Sequence, residues 1–121
     1  MQTVRIITRT AAIAFAALLL ACTKPIPPDR MAYVGDWQAK NMQLTITAAG
    51  EVHYLRADGG ARKTIDAPLK AFEGDDFIVG IGPLTTKFVV SKAPHRDGNV
   101  WKMTVDGIEL VRGLVAGDEK A

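Results

Sequence analysis

Cysteine is almost absent from this chain of 121 residues: Cys22 stands alone. No intrachain disulfide can staple the fold, so its stability must come from a hydrophobic core. Serine is equally scarce. Ser91 is the single one, and it lies inside a strand pattern without the G-x-S-x-G turn that exposes a serine nucleophile. The two histidines, His53 and His95, are 42 residues apart, and neither has a second ligand at metal spacing. No basic or acidic run occurs, and no carboxylate precedes Asp29. Serine hydrolysis and a zinc site are therefore set aside for want of residues. Nucleic-acid binding is set aside for want of a concentrated positive footprint. The chain reads as a non-enzyme with no cofactor.

What the chain does have begins with an asymmetric amino terminus. Arg5 and Arg9 precede residues 11–21, an uncharged run rich in Ala, Leu, Ile and Phe. The run has the length of a secretory h-region, about 7–15 residues, and is short of the roughly 20 apolar residues that span a bilayer. Leu19-Leu20-Ala21-Cys22 closes it. This stretch resembles the lipobox of bacterial lipoprotein precursors. The resemblance implies cleavage before Cys22, a diacylglycerol on its thiol and an acylated amino group. It also implies that the thiol is consumed, that the membrane is a partner through this lipid, and, with Thr23 rather than aspartate following, that the protein sits on the periplasmic face of the outer membrane. Without Arg5 and Arg9, 13 of the 15 basic residues remain against 13 acidic ones, so the acyl chains must supply the anchoring. Residues 22–32 then read as a lipidated tether. Three prolines within residues 23–31 favour an extended segment that holds the domain roughly 25–30 Å from the bilayer at ~3.1 Å per residue.

From residue 33 to 112, turn signals recur about every ten residues between short alternating runs, the pattern of an all-β antiparallel meander. Seven or eight short strands are expected, forming a small barrel or half-barrel, with residues 113–121 as a flexible tail. Gly50, Asp58-Gly59-Gly60, Gly82-Pro83 and Asp106-Gly107 mark hairpin turns, the last suited to φ > 0 at both positions. Residues 62–66 look like a weak polar edge strand ended by Pro68, residues 68–72 like one possible helical turn, and residues 94–99 like a loop. Period-two parity assigns the core to Trp37, Leu44, Ile46, Phe77, Val79, Phe88, Val90, Trp101, Met103, Val105, Ile108 and Leu110. Glu73, Asp75 and Asp76 cluster around Gly74, where a solvated turn explains them better than a calcium loop.

Gly35-Asp36-Trp37, with Arg112 late in the chain, resembles the G-x-W opening and closing arginine of lipocalins. That resemblance implies a tryptophan plugging one barrel end and, as an alternative function, a carrier of a small apolar ligand. Residues 75–82 and 101–110 are also similar to stretches of small proteobacterial secreted proteins, which imply no activity. The preferred reading is a lipid-anchored envelope protein acting as a non-enzymatic binding or scaffold module for an envelope protein partner. Binding requires aromatic or arginine anchors on a rigid scaffold. The candidates are Tyr54, Arg56 and Arg62 around the Asp58-Gly59 turn, and His95 and Arg96 after Pro94.

Overall fold

The computed structural model describes residues 24–112. Cys22, the leader, the first two tether residues and the tail 113–121 lie outside the described residues. Nine strands, all paired antiparallel, follow one short 3₁₀ turn, Pro28–Tyr33. They are β1 (Gly35–Ala39), β2 (Met42–Ile46), β3 (Glu51–Asp58), β4 (Ala61–Glu73), β5 (Asp76–Ile81), β6 (Leu84–Phe88), β7 (Val90–Asp97), β8 (Val100–Val105) and β9 (Ile108–Arg112). The spatial order is β6-β5-β4-β3-β2-β1-β9-β8-β7. The all-β meander expected from the alternation is thus the fold, curled into a half-barrel. No helix among the described residues is long and apolar enough to cross a membrane.

The ninth strand is β7, which runs through Pro94 where a loop is expected. It is an edge strand, and its pairing with β8 slips in register on both sides of Lys92. Proline is tolerated there because an edge leaves some backbone N–H groups without a ladder partner. Pro68 likewise does not end β4, and the helical turn considered for residues 68–72 is strand instead. β4 pairs with β3 from Ala61 to Pro68 and with β5 from Leu69 onward, with a bulge between Leu69 and Ala71. Pro68 sits where the strand changes partners, so its missing N–H interrupts neither ladder. The first half of β4 keeps an edge's polar composition (Arg62, Lys63, Thr64, Asp66), which protects against strand addition.

Ten of the twelve expected core residues are buried; Trp101 and Ile108 are only half-buried. Trp37, Phe77, Phe88, Met42, Leu44, Met103 and Leu110 are almost fully enclosed and fill the concave side of the sheet. Phe88 stacks on Phe77 at 4.9 Å, and the edge of Tyr54 meets Phe88 at 5.0 Å. Such pairs add about 0.5–1.5 kcal/mol each beyond area burial.

The tether differs most from expectation. From Ile26 onward it is part of the folded unit, not an extended spacer. Ile26 is 6% exposed and its N–H donates to the Ala48 carbonyl at 3.0 Å. Tyr33 packs edge-on against Phe72 and Phe77, and its hydroxyl donates to the Asp75 carbonyl at 2.8 Å. Burial, chiefly, raises the Tyr33 pKa above its usual value. The Arg30 guanidinium lies 4.8 Å from the Phe72 ring, and Trp37 Nε1 donates to the Tyr33 carbonyl at 2.9 Å. The prolines stiffen this segment, but Ile26 lies among them and Tyr33 follows, and those apolar side chains gain more by joining the core than by staying in water.

Candidate functional site

The convex side of β1–β4 carries a row of polar side chains whose placement follows from three hairpin registers. Asp36 pairs with Thr45, Thr45 with His53, and His53 with Asp66. Alternation sends the neighbours Trp37, Leu44, Val52 and Tyr54 inward, so this row must face solvent. Thr45 Oγ1 donates to Asp36 Oδ1 at 2.8 Å. His53 Nδ1 lies 2.7 Å from Asp66 Oδ1, and its Nε2 lies 3.6 Å from Glu51 Oε2. Gln43, Leu55, Arg62 and Thr64 complete the floor and rim of a shallow, open depression of about 290 Å³.

Hydrogen bonding to Asp66, reinforced by the charges of Asp66 and Glu51, raises the His53 pKa above its ordinary 6.5. These carboxylates stabilise the imidazolium relative to its state in a free imidazole, with its ring nitrogens donating to them. Its coupling to folding has a definite sign. A raised folded pKa stabilises the fold fully below the unfolded value and ceases to do so as pH climbs through the folded value. A carbon-bound proton titration of His53 by NMR should give a midpoint above 6.5. In Asp66→Asn the midpoint should fall, because the main favourable partner has lost its charge. An unchanged midpoint would show that Asp66 is not that partner.

Of the residues selected from sequence, Arg62 lies in this depression, while Tyr54 presents only part of itself to it. Tyr54 is 5% exposed and so is not the surface anchor expected; its ring belongs to the aromatic core with Phe88. The correction has a simple cause, since Tyr54 shares its parity with Val52, an inward residue. Arg56 is half-buried on that same side, so Arg56 and Arg62 lie on opposite faces of the sheet. His95 and Arg96 are exposed on β7, on the far side of β2, β1, β9 and β8. His95 Nδ1 lies 2.8 Å from the Ala93 carbonyl. The fold therefore does not bring the five candidates together. His53, Gln43, Thr45 and Asp66 are the additions; a two-residue turn at Gly59-Gly60 places residue 53 opposite 66, a signal available once that turn is recognised.

The acidic cluster divides its roles: Glu73 and Asp76 flank Lys87 at 3.2 and 3.8 Å, and Asp76 Oδ1 accepts the Val90 N–H at 2.7 Å. Arg112 pairs with Trp37 across β1 and β9, and its guanidinium lies 5.9 Å from the Trp37 ring and 4.8 Å from that of Trp101. Comparison with known proteins finds no family model, curated protein or solved structure that matches this chain.

Proposed function

We propose that this chain is a lipid-anchored envelope protein, held by acylated Cys22 on the periplasmic face of the outer membrane, that acts as a non-enzymatic binding module. The observation that carries this reading is the polar depression on a rigid four-strand surface. There His53, Asp66 and Thr45 are oriented by hydrogen bonds, and Arg62 adds an exposed guanidinium. Such an array recognises a polar protein surface of mixed charge, with Leu55 as its apolar contact. The Asp66 and Glu51 carboxylates that flank His53 make this imidazole suited to an electrostatic contact. Ser91 stands on β7, far across the sheet from this imidazole. Large side chains filling the concave side favour surface binding over carriage of an apolar ligand, since a small barrel of this kind is packed by its own residues.

One experiment in living cells tests anchor and module together. A photo-crosslinking amino acid at Thr64 should yield a discrete adduct with an envelope protein, and one at Thr85 on β6 should not. The adduct should disappear when Arg62 is replaced by glutamate. An adduct from Arg96 alone would move the interface to β7, and none from either position would overturn the binding reading. Cys22→Ser should release the protein from the membrane fraction; retention with unchanged processing would overturn the anchor.

A further inference from the structure

The β5–β6 turn differs from four of the other hairpin turns. The β3–β4, β4–β5, β7–β8 and β8–β9 turns each carry an aspartate, namely Asp58, Asp75, Asp97 and Asp106. The β5–β6 turn is Ile81-Gly82-Pro83-Leu84, with no charge at all. Ile81 and Leu84 pair across it, yet they are 69% and 81% exposed. The tip is held in place: Gly80 takes φ +150°, and a Cβ there would stand 2.1 Å from the Leu84 carbonyl oxygen. Lys70 Nζ donates to the Gly82 carbonyl at 2.8 Å. Beside the tip runs a cleft of about 300 Å³ lined by Lys24, Pro68, Leu69, Lys70, Gly80 and Ile81.

Lys24 belongs to that lining, which fixes where the preceding chain leaves the fold. Its position is set by the Ile26–Ala48 hydrogen bond and by Gly50, where a Cβ would meet the Lys24 carbonyl oxygen at 1.9 Å. Cys22 is two residues ahead of Lys24, a reach of at most about 7 Å. A lipid on Cys22 is therefore attached within that reach of Lys24, on the cleft that Lys24 shares with Lys70 and Ile81. Glu51 and Asp66 face His53.

We infer that this edge is a second membrane contact. Ile81 and Leu84 enter the boundary between headgroups and acyl chains, Lys24 and Lys70 meet lipid phosphates, and the domain rests on the bilayer rather than standing off it. The inference rests on the acylation of Cys22 proposed above. It deepens that reading by giving the anchored domain a fixed orientation, with the Glu73–Asp76 turn, at the opposite end of β5 from the tip, directed away from the membrane.

The test uses the acylated protein purified from membranes and reconstituted in vesicles of phosphatidylethanolamine and phosphatidylglycerol, its acylation verified by intact mass. Because Cys22 is the single cysteine and is blocked by lipid, Leu84→Cys and, on the exposed β4–β5 turn, Asp75→Cys each accept one environment-sensitive fluorophore. At position 84 the emission should shift to the blue on vesicles and be quenched by lipid-borne quenchers. At position 75 it should stay water-like. Adding Ile81→Asp to the position-84 variant should weaken the shift while the acyl chains keep the protein bound and its strand circular dichroism stays unchanged. Water-like emission at 84 on vesicle-bound, acylated protein overturns the second contact and leaves the anchor standing. A protein mass without acyl chains overturns the anchor and the contact with it.

Discussion

Trp37→Ala is expected to lower the unfolding free energy by about 3–5 kcal/mol, the range for deleting a large aromatic ring from a packed core. The ring is 0% exposed, and its Nε1 donates to the Tyr33 carbonyl at 2.9 Å, so removal leaves both a cavity and a carbonyl without its partner. It also loosens the amino-terminal segment, because that hydrogen bond ties the end of the 3₁₀ turn to β1. A domain of this size has about 5–15 kcal/mol in total, so the variant should be marginally folded at best. Equilibrium urea unfolding followed by far-ultraviolet circular dichroism measures the loss without relying on tryptophan emission. Trp101→Ala serves as the comparison. Its ring is half-buried and capped by the Arg112 guanidinium at 4.8 Å, so its removal should cost clearly less. Equal losses would show that Trp37 is not the better-packed ring.

Asp106→Pro should be the most damaging change at any turn, at about 3 kcal/mol. Asp106 has φ 49° and Gly107 φ 79°, as a two-residue hairpin turn requires, whereas proline is locked near −65°. Forcing the turn out of its native backbone costs on the order of 1–3 kcal/mol. The substitution also removes the N–H that donates to the Val89 carbonyl at 2.8 Å and the carboxylate that accepts the Val89 N–H at 3.0 Å. Each such hydrogen bond contributes roughly 0.5–1.5 kcal/mol. These two bonds pin the β8–β9 turn to the single residue joining β6 and β7, which belong to opposite edges of the sheet. Asp106→Asn keeps an acceptor and tolerates positive φ, so it should lose under about 1 kcal/mol. A proline variant as stable as the asparagine variant would mean that the junction is held elsewhere.

The alternating pattern and the turn residues by themselves determined that this protein is an antiparallel meander. Parity along each strand is local, so Leu44, Ile46, Phe77, Val79, Met103 and Val105 could be assigned to one side from their spacing alone. The same parity places Tyr54 beside Val52 and makes His53 an outward residue, while the short Gly59-Gly60 turn sets His53 opposite Asp66. The leader and the acylation of Cys22 are proposals from composition alone, which depends on no folded contact. Only the tertiary structure decided how far β4 continues past Pro68, because a strand can change partners at a proline without any local mark of it. It also decided that Trp101 is half-covered and that β7 runs as a bulged edge through Pro94. The docking of Ile26 and Tyr33 is of the same kind. Proline spacing alone describes an extended tether, but the curl of nine strands creates the apolar surface that captures these side chains, and that surface exists only once the sheet has curled.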